Sequence, residues 1–157
     1  MNAKIETQPA AADNSASMPL AQHHQIHGVQ PVLPVPDVAA ATEWFCRTLG
    51  FSIDFSHGDP PHYARVKLGD RSWGDPVYIH LALARSPVTP CGETRLHAGH
   101  DIDGLHQHAL AQGARVLLAP TDQAWGLREI VLEAPGGHLI RLGAEIGHLP
   151  PAQPGHG

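Results

Sequence analysis

The run Gln30-Pro31-Val32-Leu33-Pro34-Val35-Pro36-Asp37-Val38, continuing to Leu49-Gly50, is the stretch whose reading decides the fold. Gln30 to Val35 has the pattern of a short strand, and Pro36-Asp37 ends it. From Val38 to Leu49 the apolar residues recur at helical spacing. Asp37 is placed as the helix N-cap, its carboxylate accepting hydrogen bonds from free N–H groups of the first turn. Gly50 follows where the chain must turn left-handed to leave the helix. Later in the chain the plan returns. Thr94 to Gly99 reads as a strand, Asp101 or Asp103 as a cap, Gly104 to Gln112 as a helix and Gly113 as its stop.

Each helix is followed by further strand patterns. The first set is Ser52–Phe55, Tyr63–Leu68 and Val77–Leu83, joined by turns containing Gly58-Asp59-Pro60 and Gly69-Asp70. The second is Arg115–Leu118, Leu127–Leu132 and His138–Leu142, with Pro135-Gly136-Gly137 turning the last hairpin. The expectation is an α+β protein of two tandem βαβββ modules, forming curved mixed sheets around a groove. Module one spans about 28–84, a linker 85–92 and module two about 93–146. Residues 1–27, rich in Ala, Ser, Gln, Asn and Pro, read as a disordered arm, and 147–157 as a flexible tail.

Alternation along the strands assigns faces. In Val77–Leu83, the residues Val77, Ile79, Leu81 and Leu83 form an apolar side for a helix, leaving Tyr78, His80 and Ala82 as a mixed wall. In the last strand Ile140 and Leu142 face one way, Leu139 and Arg141 the other. Of Trp44 and Phe45 in the first helix, at least one belongs to the core.

The totals exclude several function classes. The 157 residues carry a net charge of -5 with ten Lys and Arg, which argues against a nucleic-acid partner. No apolar run approaches a membrane span of about 20 residues. Two cysteines, Cys46 and Cys91, make no disulfide framework, and no apolar leader precedes the fold, so the expected compartment is cytoplasmic. No serine nucleophile elbow, P-loop or dinucleotide fingerprint is present.

Two runs carry a family resemblance. The opening Pro31-Val32-Leu33-Pro34-Val35-Pro36-Asp37-Val38, with Ala41-Thr42-Glu43-Trp44-Phe45 and Leu49-Gly50-Phe51, resembles that of vicinal-oxygen-chelate proteins. The closing Trp125-Gly126-Leu127-Arg128-Glu129 and Ala134-Pro135-Gly136-Gly137-His138-Leu139-Ile140-Arg141-Leu142-Gly143 resembles the ending of the bleomycin-resistance-like branch of that glyoxalase/bleomycin-resistance/dioxygenase superfamily. The likeness extends from about Gly28 to Glu145. It implies paired modules, commonly in a homodimer with grooves between modules of the two subunits. Family enzymes hold one divalent metal; family binders lack its ligands and sequester a small organic molecule.

Laying the family's four metal slots on this chain puts Gln30 in the first and His80 near the second. The third falls near Thr94, a poor ligand, and the fourth on Arg141, whose fixed positive charge opposes a metal. The resemblance therefore points to a metal-free small-molecule binder with no catalytic residues and no cofactor. The alternative is a metal-dependent glyoxalase-like lyase, isomerase or dioxygenase using Zn, Ni, Mn or Fe. It would need Gln30, His80 or His97 and a carboxylate such as Glu129 or Glu145 to converge at about 2–2.2 Å from the ion. The expected ligand-binding residues are Trp125, Arg128, Arg141, Tyr78, His80, Phe55, Tyr63 and Trp73. Trp125 would stack on a planar ligand at the groove lip, or else Trp125 and Arg128 would lock their loop to the sheet. Glu129 and Glu133 share one strand face, as exposed carboxylates that serve solubility or attract a cation.

Overall fold

The computed structural model describes residues 28–70, 74–85, 87–90, 92–99 and 101–147. Trp73, Cys91, the arm through residue 27 and the tail from residue 148 lie outside these. The first module runs β1 (Val32–Val35), α1 (Val38–Leu49), β2 (Ser52–His57), β3 (Tyr63–Leu68) and β4 (Val77–Leu83). The second repeats it as β5 (Glu93–His97), α2 (Ile102–Ala111), β6 (Arg115–Asp122), β7 (Leu127–Ala134) and β8 (His138–Glu145). Each module makes one mixed sheet, in the orders β1-β4-β3-β2 and β5-β8-β7-β6. In both sheets the first strand lies parallel to the last, and all other pairs are antiparallel. This is the tandem βαβββ architecture expected from the repeat.

The caps act where the sequence placed them, with small differences. Asp37 Oδ1 accepts from the Ala40 N–H at 2.9 Å, and Gly50 closes α1 at φ 74°. Asp101, not Asp103, caps α2 by accepting from the Gly104 N–H at 2.7 Å, so the helix begins at Ile102 rather than at Gly104. β6 continues past Leu118 through Pro120 to Asp122. It lies at the edge of its sheet, where a residue without an N–H is tolerated.

Val38, Ala41, Thr42, Phe45, Thr48 and Leu49 are the buried side of α1, at the three- and four-residue spacing of one helix face. They pack with Leu33, Val35, Ala64, Val66, Ile79 and Leu81 from the sheet beneath. Phe45 is fully enclosed and meets Trp44 and Phe51 edge-on. The same core continues into module two through Ile102, Ala109, Ile130, Leu132 and Ile140. Hydrogen bonds between described residues also cross between modules. His138 Nε2–H donates to the Pro34 carbonyl at 2.7 Å, and His108 Nε2–H to the Arg47 carbonyl at 2.9 Å. Among the described residues, no helix is long and apolar enough to cross a membrane.

Phe45→Ala is expected to lower the unfolding free energy by about 3–5 kcal/mol through lost burial and a cavity. Asp101→Ala, which removes only a cap, should cost about 1 kcal/mol. Urea unfolding of the two variants beside the parent checks both values and their order.

Candidate functional site

Each helix covers one side of its sheet, so alternate strand residues turn to the other side. In module one that side carries Tyr63 and Arg65 from β3 and Tyr78 and His80 from β4, with Arg65 directly opposite His80. The β2–β3 register shifts between Ile53 and Phe55, and the irregularity lets both Asp54 and Phe55 reach Arg65. The Phe55 ring lies parallel to Tyr63 at 6.2 Å and edge-on to His80 at 6.3 Å. Arg65 packs its guanidinium against the rings of Phe55 and Tyr78, 4.8 and 4.7 Å from their centroids. Asp54 Oδ2 accepts from Arg65 Nε at 2.8 Å, a bond that holds the Asp54 carboxyl below its usual range.

His80 is the centre of a short hydrogen-bonded chain. Its Nε2 lies 2.7 Å from Gln30 Oε1, an acceptor, so Nε2 carries the proton. Nδ1 is then the acceptor for the Tyr63 hydroxyl at 2.8 Å. Burial, aided by the nearby charge of Arg65, pushes the imidazole below its ordinary pKa and favours this neutral form. Phe55, Tyr63, Tyr78, His80 and Gln30 are thus brought together. Asp54 and Arg65 join them without having been singled out from the sequence. Alternation from Tyr63 to Arg65 was the available signal; the shifted register at Asp54 left none. Gln30, Pro31, Asp75 and Tyr78, together with Thr94 and Arg95 of module two, border a groove of about 730 Å³.

Module two uses the corresponding side differently. Arg141 on β8 lies opposite Arg95 on β5. Arg141 donates to Glu129 at 3.0 Å and to Glu93 at 2.9 Å, while Arg95 reaches Glu93 at 3.0 Å and Glu129 at 3.4 Å. Carboxylates and guanidiniums alternate around a closed ring. The expectation of an exposed Glu129 is corrected here: it is only 1% exposed, because the two arginine side chains close over it. Glu133 does remain near the surface, paired with Arg115 at 2.6 Å. The Arg141 bond draws the Glu93 carboxyl below its usual range. Arg95, rather than Thr94, stands beside Arg141; Thr94 pairs with the core residue Ile140.

The remaining candidates lie elsewhere. Trp125 occupies the turn between β6 and β7 and is 60% exposed. Arg128 is engaged by Asp103 through two bonds of 2.8 Å and by Asp122 at 2.6 Å, tying β7 to the start of α2 and the end of β6. His97 borders a separate recess with Leu127, Gly143 and Glu145 and does not meet His80 across the groove.

This donor set does not suit a divalent metal. Gln30 and His80 do meet, but they spend their facing atoms on each other. Among the described residues, no three His, Cys, Asp or Glu side chains gather as ligands. At the matching place in module two stand two arginines, whose charge opposes an ion.

The sequence pattern of the Glyoxalase/Bleomycin resistance protein/Dioxygenase superfamily matches residues 24–142. The chain belongs to that superfamily. Comparison with curated proteins gives no match. Several solved structures share its fold. TioX from Micromonospora sp. ML1 is 21% identical with a TM-score of 0.61, over 76% of this chain and 100% of that one. A bleomycin resistance determinant encoded on the transposon Tn5 is 21% identical with a TM-score of 0.61, over 76% of this chain and 98% of that one. A superfamily member from Sphaerobacter thermophilus is 24% identical with a TM-score of 0.60, over 77% and 99%. At these identities the likeness establishes the superfamily fold.

Two predictions arise from the charge pairs. Arg141→Met leaves a buried carboxylate short of a partner and should cost about 2–4 kcal/mol. The exposed Arg47→Met, which breaks a helix-surface pair, should cost less than about 0.5 kcal/mol by the same urea titration. Asp54 and Glu93 have folded pKa values below their unfolded ones, so their stabilisation is full above the unfolded values near about 4. It is lost as pH falls through the lower folded values. Stability measured from pH 7 to 3 should therefore fall mainly below about pH 4, and less steeply in Arg65→Met.

Proposed function

We propose that this superfamily member is a metal-free binding protein that sequesters a small organic molecule, a drug or a metabolite, and works as a homodimer. The observation that carries the reading is the chain Tyr63–His80–Gln30, in which the atoms a metal would use are already bonded to protein. The ion-pair ring around Arg141 supports it from the second module. The groove of about 730 Å³ is of a size that takes a drug-sized molecule. Half-buried Tyr78 supplies aromatic surface in it. Retention then rests on shape, desolvation and slow release, with no bond made or broken in the ligand. A homodimer is supported by the uncovered sides of both sheets and by exposed Val32, which pairs with His80 on the uncovered side of module one.

The competing reading, a metal-dependent lyase, isomerase or dioxygenase, draws on the contact between Gln30 and His80. One experiment separates the two. The purified, untagged full chain is analysed for metals and screened by thermal shift against drug and metabolite libraries. The binder is expected to hold no stoichiometric metal and to retain a library ligand unchanged. Tyr78→Ala should weaken that ligand by about 1–2 kcal/mol in a titration. Stoichiometric Zn, Ni, Mn or Fe with turnover of the ligand would overturn the reading, and light scattering that gives a monomer would overturn the dimer.

A further inference from the structure

We propose that the groove takes an uncharged planar molecule whose carbonyl or ring-nitrogen acceptor is held by the side-chain amide of Gln30, with His80 as the residue that positions this amide. This inference rests on the small-molecule reading and narrows it to a ligand class.

The first argument is hydrogen-bond direction. Gln30 Oε1 faces His80 Nε2 at 2.7 Å, which commits the carbonyl end of the amide. Its NH₂ end offers donors that no described residue accepts, and Gln30 is exposed at the groove. A ligand acceptor would complete the set. His80 is itself held on its far side by Tyr63 at 2.8 Å, so the amide is presented in one orientation.

The second argument is charge. The cations nearest the groove already have partners. Arg65 is bound by Asp54, and Arg95 by Glu93 and Glu129. An anionic ligand would have to compete with those carboxylates and still lose its own hydration. Asp75 borders the groove with no described partner, but it is exposed, where water weakens its hold on a cation. Tyr78 supplies aromatic surface at the same groove. Neutral, flat and acceptor-bearing is the chemistry that remains.

The test uses the full chain and three probes with one ring system: 2-naphthamide, 2-naphthoate and 2-naphthylmethylammonium. Dissociation constants come from chemical-shift titration. The amide probe is expected to bind at least about tenfold more tightly than either ion, the scale of one hydrogen bond. Gln30→Glu keeps an acceptor toward His80 and removes the donors, so it should cost the amide probe about tenfold. His80→Phe, checked for native circular dichroism, should lose a similar factor by releasing Gln30, while 2-methylnaphthalene binds both variants as it binds the parent. Equal losses for 2-methylnaphthalene would overturn the hydrogen-bond assignment. Tightest binding of the cation, abolished by Asp75→Asn, would overturn it in favour of a cationic ligand. Tightest binding of the anion would do so in favour of Arg95. Failure of all three probes with a protein that retains a library ligand overturns this ligand class alone; failure to retain any ligand overturns the sequestration reading as well.

Discussion

Each four-stranded sheet has a single helix to pack against, and one helix covers one side. That constraint organises the whole molecule. On the covered side, apolar residues at every second strand position meet apolar residues at every third or fourth helix position, with Phe45 at the centre. On the other side, the alternate residues have no helix above them. They must be wetted, paired with each other, or covered by something the chain does not itself supply. Aromatic rings, paired charges and a hydrogen-bonded histidine are how this sequence meets the requirement.

The two modules meet it in contrasting ways from the same backbone. His80 and Arg141 both lie on the last strand of their sheets, next to the first strand, with Val32 and Arg95 as their respective neighbours. In module one the neutral imidazole uses both ring nitrogens and leaves Gln30 with donors facing the groove. In module two, two guanidiniums and two carboxylates pair in a closed ring, with Arg141 Nε buried and left without a partner among the described residues. The ring balances its charges; the His80 chain is open at one end. The asymmetry leaves side-chain donors on module one unpaired among the described residues, while Arg95 and Thr94 of module two border the same groove.

Much of the fold was legible because its signals are local. The first helix runs over the residues its periodicity marked, Asp37 caps it, and both expected glycines take left-handed conformations after the helices. The departures have local causes too. Asp101 outcompeted Asp103 as the cap, and an edge position allowed β6 to run through Pro120. The site was less legible. Glu129 read as a surface carboxylate because nothing beside it in sequence covers it; Arg95 and Arg141 do so from other strands. Arg128 read either as a groove residue or as a lock on its loop, and its guanidinium is engaged by Asp103 and Asp122.

The sequence by itself therefore determined the elements, their order, their duplication and which strand faces are apolar, since all of these follow from backbone propensity and periodicity over a few residues. Tertiary structure alone decided which polar atoms meet. Gln30 and His80 are 50 residues apart, and a one-residue slip in register would turn one of them to the core side. The same dependence selected Arg95 over Thr94 as the neighbour of Arg141. A hydrogen bond is lost over a displacement of less than an ångström or so, whereas periodicity survives far larger ones. That difference in tolerance is why the fold could be read from the chain and the chemistry of the groove had to be seen in three dimensions.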